Sequence, residues 1–442
     1  MKNKKKKTAS DFRYNSAAAR VPWAAVGEPV REQDVAQLVR FLLKPSDEKS
    51  PAYERQFARV ERELFKLKHV ADYVGKLTLG NSVTALEQET ARFLGTKQAL
   101  FLTSWTSAAE IVYKYAGLKA GDEIIAPAIT FVATIAYPLA VGAKVVLADV
   151  DPRTLNLDPA DVAHKITPRT KVIVPVHLGG YPADMDAILK LARRRNITVF
   201  EDAAHAFGAH YKGRMCGSIG DFGAFSFHEV KNITSLGEGG ILCTSLPFGK
   251  QLSKARFLGL DFSRQIPNWL YDVTAIEGKT GWFAAGNHSA TEIQALGLMQ
   301  QLARLKGIIA KRRRAANYLN RRLAGVRGLV TPPLDDRQVT SSHHLYLLQV
   351  EPEKLGADVQ ALKQKLAARG LVQIPHFAPL YKFSVMRQLG YNTAALEASC
   401  PVAEEAFRHR FTHLPLYDYD SGQLKYMADM ITEAAAELRA GR

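Results

Sequence analysis

The sequence predicts an α/β protein: a doubly wound, mostly parallel sheet followed by a smaller α+β domain. Three observations carry that reading. Short apolar runs recur at 123–126, 144–150, 171–177, 197–201, 222–228 and 240–244. Helical stretches separate several of them, notably 131–142 and 184–195. After about residue 300 the alternation stops and long helical patterns take over. Parallel strands need crossover connections, so strands alternating with helices imply a sheet covered on both faces. In such sheets ligands bind beyond the carboxyl ends of the strands.

The elements follow in order. Residues 1–20 are lysine-rich, then small and polar, and are expected to form a mobile basic tail. Residues 21–80 form a helical segment, with a helix over 31–43. Within it, a charged stretch at about 44–76 is helical in part, with apolar positions at Phe57, Val60, Leu64 and Leu67. Residues 82–94 predict a helix closed by Gly95, 98–103 (QALFLT) a buried strand, and 106–116 a helix. A large domain is expected over 81–300 and a small C-terminal domain over 301–442. Around the boundary a long basic helix is expected over 291–325. It is followed by a strand at 344–350 and helices at 355–369 and 422–440.

Composition narrows the function. The chain has 442 residues, 47% hydrophobic and 23% charged, which is ordinary for a globular protein and argues against global disorder. No apolar run reaches the ~18 residues needed to span a bilayer, and none follows the N-terminal lysines as a secretory signal would. The three cysteines, Cys216, Cys243 and Cys400, are odd in number and far apart. They exclude a disulfide scaffold or a CxxC metal site and fit a reducing cytoplasm. The net charge is +16, with basic blocks at Lys4–Lys7, Arg193–Arg195 and Lys311–Arg314. No zinc-finger, basic-zipper or RNA-recognition signature accompanies them, so neither nucleic acid nor a metal is expected. The charge reads first as a solvated tail and basic helix faces, and second as a surface suited to a phosphate-bearing substrate.

Three segments carry chemistry, each at the end of a predicted strand. Residues 103–107 (TSWTS) place hydroxyls and free amides at a helix start, which serves an anion site or a plain N-cap. Residues 200–205 (FEDAAH) end a strand in an acid that can hold a cationic nitrogen or cap a helix. Lys231 follows a strand and precedes the glycine-rich 237–240 (GEGG). A lysine in a partly apolar pocket loses proton affinity and forms Schiff bases, although a lone lysine near glycines is ordinarily a surface residue. Taken together, an anion site, a carboxylate and such a lysine are what pyridoxal 5'-phosphate (PLP) requires.

Residues 201–214 (EDAAHAFGAHYKGR), 217–221 (GSIGD), 225–234 (FSFHEVKNIT) and 175–186 (PVHLGGYPADMD) are specific. Weaker agreement continues through 286–294 (GNHSATEIQ), 376–381 (HFAPLY) and 414–417 (LPLY). With these motifs the sequence resembles the DegT/DnrJ/StrS family of sugar aminotransferases, PLP enzymes of fold type I. The match covers roughly 20–440 except about 44–76, which looks like an insertion.

The resemblance implies a seven-stranded-type sheet in the large domain and a homodimer with shared active sites. It implies that Lys231 forms the Schiff base and shuttles the proton, and that Asp202 pairs with the pyridinium nitrogen. Phe131 stacks on the ring, and His205 helps shape its pocket. Ser226, the amides of Trp105 and Thr106 and the Thr106 hydroxyl hold the phosphate, with Asn287 reaching the neighbouring subunit's phosphate. Two departures stand out: Trp105 occupies a position that is usually small, and is expected to narrow the sugar site; Ser289 stands where a basic residue is common. A lysine at 231, where one branch of the family has histidine, favours transamination over dehydration.

The expected function is transfer of an amino group from L-glutamate to a keto sugar, in particular a nucleotide-linked 4-keto-6-deoxy sugar. Two alternatives stand beside it: a cyclitol or other keto-substrate aminotransferase using glutamine or glutamate, and a regulatory homologue that has lost catalysis.

Overall fold

The computed structural model describes residues 30–44, 50–67, 70, 77–261, 273–371 and 377–441. The tail expected over 1–20 lies outside the described residues. The chain divides into two compact units, one ending at Gly80 and the other beginning at Asn81.

The first unit contains α1 (Glu32–Leu42) and α2 (Pro51–Leu67). Each buries a narrow apolar stripe, Ala36 on α1 and Phe57 on α2. Arg40 pairs with Glu54 at 2.8 Å and lies 4.2 Å from the Phe57 ring centroid. The stretch 44–76 is therefore helical in part, over α2.

The second unit opens with α3 (Asn81–Leu94), β1 (Gln98–Leu102), α4 (Trp105–Tyr115), β2 (Glu123–Pro127), α5 (Ala133–Ala140) and β3 (Lys144–Ala148). It continues with α6 (Pro159–Lys165), β4 (Thr170–Ile173), α7 (Met185–Arg193), β5 (Thr198–Asp202), β6 (His210–Tyr211), β7 (Arg214–Met215), β8 (Phe222–Ser226) and β9 (Gly240–Thr244). Next come α8 (Leu252–Arg256), β10 (Ile276–Glu277), β11 (Trp282–Phe283), α9 (Glu292–Leu302), α10 (Leu305–Leu323), β12 (Leu329–Val330), β13 (Val339–Thr340) and β14 (Leu345–Val350). The chain closes with α11 (Pro352–Leu355), α12 (Val359–Ala368), α13 (Ser384–Gln388), α14 (Thr393–Ala398), α15 (Pro401–Glu405), β15 (Phe411–Pro415) and α16 (Ser421–Ala440).

Seven strands form one sheet in the order β1-β9-β8-β5-β4-β2-β3. β9 is antiparallel to both neighbours and the remaining pairs are parallel, so every strand but β9 runs the same way. Side chains alternate between two cores, as a period of two requires. Leu100, Ile124, Phe200, Phe222 and Leu242 enter one core; Phe101, Ile125, Val199, Phe225 and Ile241 enter the other. A third core, from Ala315 to Ala435, gathers α10, α12 and α16 on the three-stranded sheet β12-β14-β15.

The sequence misplaces three features. The single helix expected over 291–325 is two helices, α9 and α10, separated at Ala303–Arg304. The helix expected over 355–369 is broken at Gly356, whose φ of +90° ends α11. The strand β15 lies outside the expected runs, because Thr412 and His413 break its apolar pattern, FTHLP.

The topology sets up one functional edge. β1, β2, β5 and β8 all end at the same side of the sheet. Leu102, Gly240 and Ser226 lie in one row across β1, β9 and β8. A Cβ at Gly240 would come within 2.3 Å of the Ser104 carbonyl, so glycine there lets β9 lie directly beneath the start of α4.

Candidate active site

Asp202 ends β5 and faces the core that holds Phe200. It is 5% exposed. One carboxylate oxygen accepts from the Thr134 hydroxyl at 2.9 Å, the other from the Ala204 amide at 3.2 Å. Thr134, buried on α5, also bonds the Thr130 hydroxyl at 3.1 Å. Burial raises the proton affinity of Asp202; the Thr134 and Ala204 bonds and the nearby Lys231 oppose that rise.

Its neighbour Glu201 points to the other face. Glu201 accepts the amides of Gly217, Ile219 and Gly220 at 2.6–2.7 Å and meets His177 Nε2 at 3.0 Å. The Ala183 amide donates to His177 Nδ1, so the Nε2 proton is the one given to Glu201. This buried network fixes the loop before β8 and holds β5 in register beside it.

Lys231 stands on the turn after β8. Phe227 donates to the Gly239 carbonyl, Glu229 to Gly237 and Lys231 to His228, which clamps the turn. Among the described residues no hydrogen bond or ion pair holds its ammonium. Burial lowers its pKa to about 8, with Asp202 pulling in the opposite direction. A neutral amine is thus accessible near neutral pH.

The start of α4 lies beside this pair. Ser104 caps the helix by accepting from the Ser107 amide at 3.1 Å. Trp105 and Thr106 are the first helical residues, and their amides have no partner in the helix ladder. Thr106 is exposed and Ser226 is partly exposed at the end of β8. Hydroxyls and free amides at a helix start attract an anion. The Trp105 side chain turns the other way. Its indole donates to the Ala224 carbonyl at 3.2 Å and stacks on Phe200, ring centroids 5.5 Å apart. It is a core residue, and the expected narrowing of the sugar site does not occur through it.

The remaining expected residues divide. Phe131, between β2 and α5, is 61% exposed, a large ring with an open face. His205 stacks on His344 at 4.3 Å, and among the described residues its buried Nδ1 has no hydrogen-bond partner. Burial holds both histidines well below the usual imidazole range, so both are neutral. His344 Nδ1 meets the Asn232 amide oxygen at 2.9 Å, beside Lys231. Asn287 is exposed, and its side chain accepts from the Ser289 amide at 3.1 Å. The adjacent His288 carbonyl accepts from Thr103, which sets the segment beside the start of α4. Among the described residues no hydrogen bond or ion pair joins Asn287 to Asp202 or Lys231.

Sequence reasoning missed Thr134 and His344. Thr134 lies three residues after Phe131 on the same turn into α5; His344 begins the strand-like run expected at 344–350. Neither carries a local signal, because their contacts span 68 and 112 residues.

These groups fit PLP on the structure's own terms. A buried carboxylate suits a ring cation, an unbonded amine of lowered pKa suits an aldehyde, and a helix start with hydroxyls suits a phosphate. The open Phe131 face suits stacking on a planar ring.

Comparison with known proteins agrees. A family model described as the DegT/DnrJ/EryC1/StrS aminotransferase family matches residues 59–431. The chain is 37% identical over 358 residues to the spore coat polysaccharide biosynthesis protein SpsC of Bacillus subtilis (strain 168), covering 78% of this chain and 86% of that protein. It is 34% identical over 329 residues to the GDP-perosamine synthase of Caulobacter vibrioides, covering 74% and 84%. The PLP form of Spr1654 from Streptococcus pneumoniae superposes with a TM-score of 0.72 at 27% identity, covering 83% of this chain and 94% of that one.

Proposed function

The chain belongs to the DegT/DnrJ/EryC1/StrS aminotransferase family of PLP enzymes acting on sugars, and on that premise we propose that L-glutamate is its amino donor and a nucleotide-linked 4-keto-6-deoxy sugar its acceptor. The observation that carries the reading is a largely buried Lys231, its pKa lowered to about 8, within electrostatic reach of the buried Asp202 carboxylate at the carboxyl edge of the sheet. The GDP-perosamine synthase relative and the FHEVKNIT run support a nucleotide-sugar acceptor.

PLP, when bound, supplies the aldehyde that takes up the amino group and the ring that accepts the electron pair released at the donor's α-carbon. The protein's own residues do the rest. Asp202, held as a carboxylate by Thr134 and Ala204, would pair with the ring nitrogen. The Trp105 and Thr106 amides with the Thr106 and Ser226 hydroxyls would hold the phosphate. Phe131 would cover one ring face and His205 would border the other. Lys231 Nζ takes the proton from the donor α-carbon, and in the second half-reaction delivers a proton to the sugar carbon. Both halves use one site, so ping-pong kinetics follow.

A homodimer completes the proposal, with Asn287 on an exposed segment reaching the partner's phosphate site. A cytoplasmic location is supported by three free, buried thiols. Among the described residues no helix is long and apolar enough to cross a membrane. A small domain beginning near 300 is part of the proposal, supported by the third core between Ala315 and Ala435.

The test is a substrate panel read by mass spectrometry. Holoenzyme is given L-glutamate or L-glutamine with dTDP-, UDP- or GDP-linked 4-keto-6-deoxy sugars, or with inososes. Amination of a nucleotide sugar from L-glutamate is expected. Amination of inososes alone, or only from L-glutamine, overturns the assignment in favour of a cyclitol enzyme.

A further inference from the structure

The basic run on α10 hides one residue unlike its neighbours. Lys311 pairs with Asp418, and Arg313 with Asp335 at 2.8 Å. Arg312 between them is 8% exposed and has no carboxylate within ion-pair distance among the described residues. Arg256 is buried to the same 8% and pairs with Glu87. A buried guanidinium without an anion is costly, and evolution ordinarily supplies the partner or removes the charge.

Its surroundings face the active site. Nη1 donates one long bond to the His344 carbonyl at 3.4 Å, and the guanidinium lies 5.6 Å from the Tyr417 ring centroid. The groups facing it are Tyr417, Tyr419 and His344, none of them a carboxylate. The His344 ring stacks on His205 and bonds Asn232, the residue after Lys231. Arg312 and Lys231 both lower the proton affinity of His344. Among the described residues the guanidinium spends one of its five donors, on the His344 carbonyl, and its planar fork matches a carboxylate two bonds at a time.

We propose that Arg312 seats a carboxylate of the amino donor, with the donor's amino group beside Lys231. This rests on the reading of L-glutamate as donor. The depth of Arg312 suits a small dicarboxylate better than a nucleotide. A nucleotide's diphosphate shares the anionic chemistry, and the experiment separates the two sources.

Holoenzyme is titrated calorimetrically with glutarate, a dicarboxylate that has no amine to react, and separately with GDP and dTDP. Arg312→Gln is expected to weaken glutarate binding roughly 10- to 100-fold, the loss of one charged hydrogen-bonded pair, with GDP and dTDP binding unchanged. Arg312→Lys keeps the charge, so it preserves the fold if Arg312→Gln does not. It loses the fork and is expected to weaken glutarate binding about fivefold. In steady state the variants raise KM for L-glutamate more than KM for the keto sugar. Unchanged glutarate binding in a folded Arg312→Gln or in Arg312→Lys overturns the proposal. So does a loss confined to GDP and dTDP. If wild-type enzyme takes no amino group from L-glutamate while glutarate binding still depends on Arg312, the donor assignment fails and the carboxylate seat stands.

Discussion

The Thr134 hydroxyl donates to the Asp202 carboxylate at 2.9 Å, joining the first turn of α5 to the end of β5 across 68 residues of chain. That bond opposes the burial that would otherwise protonate Asp202. Thr134→Val keeps the shape and removes the donor, so Asp202 gains proton affinity and pairs less well with a ring cation. We expect kcat/KM to fall roughly 10- to 100-fold with the melting temperature little changed. Steady-state kinetics and a thermal melt check both parts.

Lys231 gives a pH dependence of known sign. Its pKa is lowered to about 8, and the neutral amine is the reactive form. The rate at which apoenzyme takes up PLP should therefore rise with pH and reach half its plateau near pH 8. An ordinary lysine, at 10.5, would still be climbing well above that. Asp202 stabilises the Lys231 ammonium, so Asp202→Asn should move the midpoint to lower pH. Stopped-flow absorbance across a pH series measures it.

Glu201 carries a structural load distinct from that of Asp202. It accepts three amides and the His177 Nε2 proton in a buried setting. Glu201→Gln would turn an amide donor toward donors. We expect a loss of roughly 3–5 kcal/mol, as when one side of a buried charged network is broken. Urea unfolding reads this loss, and a shift of less than about 1 kcal/mol would contradict the role.

Trp105 separates side chain from backbone. Its indole belongs to the core through Ala224 and Phe200, while its amide heads α4. Trp105→Phe removes the indole donor and should cost about 1–2 kcal/mol of stability. The amide remains, so KM for the sugar substrate should hold. A variant that widens acceptor range without losing stability would restore the narrowing that the residue's bulk suggests from sequence.

The large sheet was legible because its strands are short apolar runs buried on both faces, with helices between them. Asp202 and Lys231 were legible for the same reason: each sits where an apolar run stops. What escaped was whatever depends on distant pairing. Thr134 reaches Asp202 only because β2 and β5 flank β4, an order that no local pattern records. His344 meets Asn232 across 112 residues. The break between α9 and α10 falls at Ala303–Arg304, residues that favour helix, so tertiary packing overrides propensity there.

The central claim is that Lys231 is the residue that carries the cofactor. Holoenzyme reduced with borohydride, digested and mapped by mass spectrometry tests it directly. The account predicts a pyridoxyl group on the peptide containing Lys231, absent when the enzyme is first converted with L-glutamate. A pyridoxyl group on another lysine, or none on Lys231 in fully loaded enzyme, would contradict it.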